Sequence, residues 1–444
     1  MTTKQISSLN YNKIRMFTSQ WTKKFKVSQI QAFTTQQIQV LNEKQISTFT
    51  PIQIQMFKTK QIQVFTKEQI QSFTIEQISK FTIEQIQALT KEQIPAFTVS
   101  QIQSFTENQI ASFKTSQTII LTSRQIQSFT TQQIQWFTNS QIYYLKISQV
   151  QALTTKQISS LNYNKIRMFT SQWTKKFKVS QIQAFTTQQI QVLNEKQIST
   201  FTPIQIQMFK TKQIQVFTKE QIQSFTIEQI SKFTIEQIQA LTKEQIPAFT
   251  VSQIQSFTEN QIASFKTSQT IILTSRQIQS FTTQQIQWFT NSQIYYLKIS
   301  QVQALTTKQI SSLNYNKIRM FTSQWTKKFK VSQIQAFTTQ QIQWIDYEQI
   351  PEFTKEQIQI FTNQQIQALT PKQIPSLTIL QISWFTIEQI QALTPRQNRV
   401  FTEKQIQALT QEQIQSFAPE QIPKFEPEQI EKFTSEQIAA FLSE

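Results

Sequence analysis

The side chains that most often carry out catalysis or bind metals are scarce in this sequence. It contains no His, no Cys and no Gly, and its one Asp is Asp346. His-based general-base pairs, thiolate or imidazole metal sites and phosphate-binding Gly loops are therefore excluded. Paired carboxylates such as Glu426 and Glu428 are best interpreted as part of a solvated face. We expect a protein that is not an enzyme and that binds no cofactor and no metal.

The remaining residues of chemical interest are cations gathered around aromatic side chains. The segment NYNKIRMFTSQWTKKFK occupies residues 10–26 and recurs at 162–178 and at 314–330. Such a segment favours an anionic partner, either nucleic acid held through its phosphates or an acidic protein or membrane surface. The alternative is a set of lysines that only keep a solvated face soluble. The candidate partner-binding residues are Lys13, Arg15, Trp21, Lys23, Lys24, Lys26, Lys165, Arg167, Trp173, Lys175, Lys176, Lys178, Lys317, Arg319, Trp325, Lys327, Lys328 and Lys330.

Net charge divides the chain into two predicted domains. The whole chain carries +18. Residues 346–444 contain 13 acidic and 7 basic side chains, so their net charge is −6 and that of residues 1–345 is +24. Such asymmetry is typical of a protein whose partner senses charge along the chain.

An eight-residue repeat organises the whole sequence. With Phe73 as position 1, Gln stands at position 5 in 49 of the 55 octads between Gln5 and Gln437, and Ile stands at position 6 in 47 of them. A longer period of 152 residues gives copies at 2–153 and 154–305 and a partial copy at 306–343. Growth by whole octads is typical of a solenoid, in which each unit contacts only its neighbours.

The octad F-T-x-E-Q-I predicts the start of a short helix. Thr at position 2 is a preferred N-cap, Gln at position 5 completes a capping box, and Phe or Leu at position 1 can pack on Ile at position 6. We interpret the recurrent Gln as a capping residue. Lys26, Lys58, Lys114 and Lys146 replace the N-cap Thr and set a positive charge against the positive end of the helix dipole.

The prolines support the same boundaries. Position 3 would be the first helical residue, which Pro prefers, whereas Pro at position 7 removes a helical hydrogen bond. We therefore expect helices of one to two turns that end before the next Thr. Prolines at position 3 are Pro51, Pro203, Pro371, Pro395, Pro419 and Pro427, and those at position 7 are Pro95, Pro247, Pro351, Pro375 and Pro423.

The predicted fold is an all-α, elongated solenoid or superhelix of very short helices. A β-solenoid is the alternative, since Ile, Phe and Thr favour strands, but its corners usually need residues such as Gly. The predicted function is a repeat scaffold for protein–protein interaction. A basic surface that binds nucleic acid or another polyanion is the first alternative, and a structural spacer is the second. The apolar runs are too short to cross a bilayer, and the N-terminus has no cleavable signal pattern. We therefore expect a soluble protein, cytoplasmic or exported by a route that needs no such signal.

Overall fold

The computed structural model of the chain describes residues 1–418, 421–422 and 425–441. It contains two compact units, Met1–Phe225 and Thr226–Glu444. Both are built from helices of three to seven residues, and the described residues include no β-strand. The predicted all-α solenoid of very short helices is therefore confirmed, and the β-solenoid alternative is wrong. The helices follow one another closely along the chain, and the short segments between them leave no room for a strand.

The helices of the first unit span Thr3–Ser7, Tyr11–Arg15, Ser19–Thr22, Val27–Gln31, Thr35–Gln39, Glu43–Thr48, Pro51–Gln55, Thr59–Ile62, Lys67–Ser72, Ile75–Ile78, Ile83–Ala88, Ile94–Ala96, Val99–Ser104, Glu107–Ser112, Thr115–Thr118, Ser123–Ser128, Thr131–Trp136, Asn139–Tyr143, Ile147–Ala152, Thr155–Ser160, Tyr163–Arg167, Ser171–Thr174, Val179–Ala184, Thr187–Gln191, Glu195–Thr200, Pro203–Gln207, Thr211–Ile214 and Lys219–Ser224.

The helices of the second unit span Ile227–Ile230, Ile235–Ala240, Ile246–Ala248, Val251–Gln255, Glu259–Ser264, Thr267–Thr270, Ser275–Ser280, Thr283–Trp288, Asn291–Tyr295, Ile299–Val302, Thr307–Ser312, Tyr315–Ile318, Ser323–Thr326, Val331–Gln335, Thr339–Trp344, Tyr347–Glu352, Lys355–Gln359, Asn363–Ala368, Ile374–Ser376, Ile379–Ser383, Ile387–Ala392, Pro395–Asn398, Glu403–Gln407, Gln411–Gln415, Pro427–Ile430 and Ser435–Phe441.

The predicted capping box starts these helices. In the helix Ile75–Ile78, the backbone N–H of Gln77 donates to the hydroxyl of Thr74 (3.2 Å), and the backbone N–H of Thr74 donates to Oε1 of Gln77 (2.8 Å). The helix start also stabilises the charged form of a Glu at position 4. The backbone N–H of Glu68 and then the hydroxyl of Thr66 lower the pKa of the Glu68 carboxyl. In octads that contain this Thr–Gln pair, two backbone donors that the short helix leaves unpaired are thus satisfied.

The two proline positions have different effects. Helices begin at Pro51, Pro203, Pro395 and Pro427, as expected for position 3. Pro371 instead lies in a turn before the helix Ile374–Ser376. Prolines at position 7 lie in the four 3-10 helices, Ile94–Ala96, Ile246–Ala248, Tyr347–Glu352 and Ile374–Ser376. Pro419 and Pro423 lie outside the described residues. Because Pro at position 7 has no N–H to donate, its octad takes the tighter 3-10 form.

The apolar positions of the octad form the core of each unit. Ile at position 6 is fully buried in most octads; Ile70 and Ile78, for example, are 0% exposed. Phe or Leu at position 1 is nearly as well buried, and the rings of consecutive octads meet edge to face. The ring centroids of Phe65 and Phe73 are 5.1 Å apart, and those of Phe73 and Phe81 are 5.3 Å apart. This geometry adds to the stabilisation from burial.

Gln at position 5 has a second role that the sequence analysis did not assign. Its Nε2 donates to backbone carbonyls 28 and 31 residues earlier in the chain. Gln77 Nε2 donates to the carbonyl oxygens of Ile46 (2.9 Å) and Phe49 (2.7 Å), and the Gln77 side chain is 1% exposed. One Gln therefore caps its own helix through Oε1 and binds the preceding turn through Nε2.

These bonds set the size of a solenoid turn. Separations of 28 and 31 residues correspond to between three and four octads. Helices three octads apart accordingly pack against each other, as Glu43–Thr48 does against Lys67–Ser72. The change of net charge at residue 346 does not coincide with a unit boundary, because the octads continue through it within the second unit.

Candidate partner-binding surface

Three segments of identical sequence contain the candidate residues, and we name them the first cluster (10–26), the second cluster (162–178) and the third cluster (314–330). In each cluster, Lys and Trp occupy the two positions 5 at which Gln is missing. The first two clusters lie in the first unit, and the third lies in the second unit. Burial separates the candidates into two groups.

Four candidates lie inside the stack of turns. Trp173 and Trp325 are each 4% exposed, and Lys165 and Lys317 are 8% and 7% exposed. They occupy the place of the buried Gln, and their side chains follow the same direction. Nζ of Lys317 donates to Oδ1 of Asn291 on the neighbouring turn (3.1 Å). Burial lowers the pKa of Lys165 and of Lys317. These four side chains therefore leave little of their surface open to a partner.

The other candidates are exposed and remain available to a partner. They lie at positions 7, 8 and 2 of their octads, outside the core, except in the first cluster, where both position 5 side chains are also exposed. The exposed set is Lys13, Arg15, Trp21, Lys23, Lys24, Lys26, Arg167, Lys175, Lys176, Lys178, Arg319, Lys327, Lys328 and Lys330. A role of these residues in binding stays a prediction.

The three clusters differ in what faces their position 7 lysine. In the third cluster, Nζ of Lys327 pairs with a carboxylate oxygen of Glu352 at 3.2 Å. The equivalent of Glu352 is Thr48 for the first cluster and Thr200 for the second. The Thr48 hydroxyl lies 2.6 Å from that of Thr22, and the Thr200 hydroxyl contacts that of Thr174 in the same way. A carboxylate therefore offsets part of the positive charge in the third cluster only.

Exposed tyrosines are the surface residues that the sequence analysis missed. Tyr143 and Tyr144 are 49% and 57% exposed, and their ring centroids are 5.1 Å apart. Tyr163 of the second cluster is 57% exposed, and the guanidinium carbon of Arg167 lies 5.7 Å from its ring centroid. The sequence did carry a signal for them, because the core position 1 uses Phe or Leu and never Tyr.

The described residues contain no group of three or more acidic side chains arranged to hold a metal ion. Within the same residues, no helix has the length and apolar character needed to cross a bilayer.

Comparison with known proteins adds no function. No family model matches the chain, and no curated protein sequence matches it. Among solved structures, APUM23-GGAAUUGACGG is similar at 9% identity over 100% of this chain and 92% of that chain, with a TM-score of 0.19. A likeness at that TM-score supports no inference about what this protein does.

Proposed function

We propose that the chain is a non-enzymatic repeat scaffold whose exposed octad positions bind an anionic macromolecule. The observation that carries this proposal is that some positions of the octad are buried in the stack and others are exposed. In the helix Lys67–Ser72, Gln69 and Ile70 are buried, whereas Lys67, Glu68 and Gln71 are exposed. Side chains at positions 3, 4 and 7 can therefore vary to suit a partner while positions 1, 5 and 6 maintain the stack.

Charge supports an anionic partner over a neutral one. Residues 1–345 carry a net charge of +24. In the second cluster, Lys175, Lys176 and Lys178 are exposed, and within the described residues no carboxylate lies close enough to pair with any of them. Clustered cations without partners raise the local concentration of a polyanion. The protein partner expected from the sequence stays a prediction. An acidic protein would be both a protein partner and an anionic one.

A charge-reversal experiment tests the proposal. Fluorescent heparin would be titrated with the full chain, with a Lys175→Glu, Lys176→Glu, Lys178→Glu variant, and with a matched control. We expect the wild-type chain to bind with a steep salt dependence and the variant to bind much more weakly, because phosphate-like or sulfate charges release counterions when they meet lysines.

The matched control carries Lys67→Glu, Lys80→Glu and Lys91→Glu, which change net charge equally at exposed sites outside the clusters. The control should lose less affinity than the cluster variant. Equal losses would show attraction by net charge alone, and an absence of binding by the wild-type chain would contradict the proposal and leave the spacer role.

A further inference from the structure

The eight tyrosines of the chain are all surface residues. Their exposed fractions lie between 43% for Tyr315 and 57% for Tyr144, Tyr163, Tyr296 and Tyr347. The buried rings of the core belong to Phe, as at Phe105, which is 2% exposed, and to Trp173 and Trp325. Octads with Gln at position 7 and Ser at position 8 form the same short helices, so a ring is not needed at those positions to form the helix. Exposed rings of this kind are available to contact a ligand.

Stacking of turns brings the tyrosine pair next to the second cluster. The helix Asn139–Tyr143, which carries the first ring of the pair, packs against the helix Tyr163–Arg167. Tyr163 supplies a third exposed ring, and Arg167 lies over it. The helices that carry Tyr143 and Tyr163 are thus neighbours in the stack.

Cations border these rings on the adjoining octads. The helix Ile147–Ala152 packs against Ser171–Thr174, and Nε2 of Gln151 donates to the carbonyl oxygen of Lys176 at 2.9 Å. Lys146, which directly follows the pair and Leu145, is exposed, as are Lys175 and Lys178. We call this set the tyrosine–lysine surface: Tyr143, Tyr144, Lys146, Tyr163, Arg167, Lys175, Lys176 and Lys178.

The second unit contains a similar surface, in which Glu352 pairs with Lys327. Tyr295 and Tyr296 have ring centroids 5.2 Å apart and are 51% and 57% exposed. The helix Asn291–Tyr295 packs against Tyr315–Ile318, and the guanidinium carbon of Arg319 lies 5.4 Å from the ring centroid of Tyr315. Its lysines are Lys298, Lys327, Lys328 and Lys330. Two separate parts of the chain therefore have the same combination of exposed rings and cations.

We propose that each tyrosine–lysine surface binds single-stranded nucleic acid, a proposal that rests on the proposed binding of an anionic macromolecule. Unpaired bases stack on the Tyr rings while Lys and Arg neutralise the phosphates. A duplex keeps its bases stacked on each other and has no free base face for the rings. A polyanion without bases, such as heparin, has no aromatic group that could stack on the Tyr rings. The rings thus favour a single strand, of RNA or DNA, over other polyanions.

The test measures fluorescence anisotropy of labelled oligouridylate, oligothymidylate, a DNA duplex and heparin with the full chain. The variant carries Tyr143→Ala, Tyr144→Ala, Tyr295→Ala and Tyr296→Ala. We expect its affinity for single strands to fall about tenfold or more, because each lost ring removes a base-stacking contact. Its affinity for heparin should not change, and the salt dependence should stay the same because the phosphate contacts remain.

Two controls separate ring stacking from damage to the fold. The corresponding Tyr→Phe variant retains the rings and should bind single strands like the wild-type chain. Tyr11→Ala removes a ring of 48% exposure in the first cluster, which belongs to neither surface, and should also have no effect. Circular dichroism checks that the helices persist.

Each outcome decides between the two proposals. Tighter binding of either single strand than of duplex and heparin, lost with the Ala variant, supports the inference. Equal binding of all four probes, unaffected by Tyr→Ala, overturns it but leaves a scaffold that binds polyanions by charge. Binding of none of the four probes overturns both proposals.

Discussion

The first and second clusters have the same sequence but differ in the burial of two side chains. Trp21 is 53% exposed, whereas its counterpart Trp173 is 4% exposed. Lys13 is exposed, whereas its counterpart Lys165 is 8% exposed. Both pairs occupy position 5, whose side chain lies against the turn 28 to 31 residues earlier. For the second cluster this turn includes Ile134 and Phe137, whereas Lys13 and Trp21 belong to the first turn that the structure describes.

The difference shows that each octad depends both on contacts within itself and on contacts with another turn. Capping is local, and it is alike in both clusters: Asn10 and Asn162 each accept a hydrogen bond from the backbone N–H three residues later. Burial of position 5 is not local, because it depends on a turn that lies between three and four octads away. The effect on stability of a substitution at position 5 should therefore depend on whether the turn 28 to 31 residues earlier packs against it. The effect of a substitution at position 2 should not.

The largest expected effect comes from replacing the buried amide donor with a carboxylate. Gln77→Glu keeps the Oε1 acceptor for the cap but places a negative oxygen near the carbonyls of Ile46 and Phe49. An uncompensated buried charge costs about 3–5 kcal/mol. Hydrogen-exchange mass spectrometry of peptides within 46–80 should show that loss of local stability, since a repeat array need not unfold in one step.

The control for this substitution is Gln5→Glu. Gln5 is exposed and accepts the capping bond from the Thr2 N–H at 2.7 Å. Because its side chain is exposed, the new carboxylate stays hydrated, and the expected change is below about 0.5 kcal/mol. Equal effects of the two substitutions would show that Gln matters only as a cap.

A smaller effect, of opposite sign, is expected at Lys165. Lys165→Gln restores the donor that the octads around it have, so the free energy of unfolding should rise by about 1 kcal/mol at neutral pH. Lys13→Gln changes an exposed side chain and should have no measurable effect. Thermal unfolding followed by circular dichroism compares the two, and a similar gain for both would contradict the burial argument.

The advantage of Lys165→Gln should also depend on pH. Burial lowers the pKa of Lys165 from its ordinary value of 10.5. Between the lowered pKa and 10.5 the unfolded chain binds more protons at this residue than the folded chain, so wild-type stability rises with pH in that window. The gap between the wild-type chain and the variant should therefore narrow as pH rises toward 10.5. A constant gap would indicate that the ammonium is not desolvated.

The smallest effect is expected at the N-caps, and here the two clusters should agree. Lys26 and Lys178 donate their N–H groups to Gln29 and Gln181 (2.7 and 2.9 Å), but an ammonium has no lone pair to accept the return bond. Lys26→Thr and Lys178→Thr add that acceptor and should each raise stability by about 0.5–1 kcal/mol. Local hydrogen exchange measures the change in stability for both variants. A gain in one cluster alone would show that capping also depends on contact with the preceding turn.

Much of the fold could be predicted because the capping pattern is short. Thr and Gln three residues apart place each helix start, and Pro51 confirms it at position 3. The effect of Pro95 was predicted as the loss of a hydrogen bond, but its result, a 3-10 helix over Ile94–Ala96, depends on how the octad adjusts. The candidate site was predicted less well. The spacing did not show that Trp173 would be buried or that Tyr143 would lie beside the second cluster, because both follow from the size of a turn.

The amino-acid sequence by itself determined where most helices start and which two apolar positions enter the core, because caps and the contact between positions 1 and 6 act within one octad. Only the tertiary structure decided how many octads complete a turn. That number depends on the angle at every junction between short helices, which no local pattern specifies. It also decides which carbonyls each Gln reaches, and so whether a lysine or tryptophan in its place is buried or open to a partner.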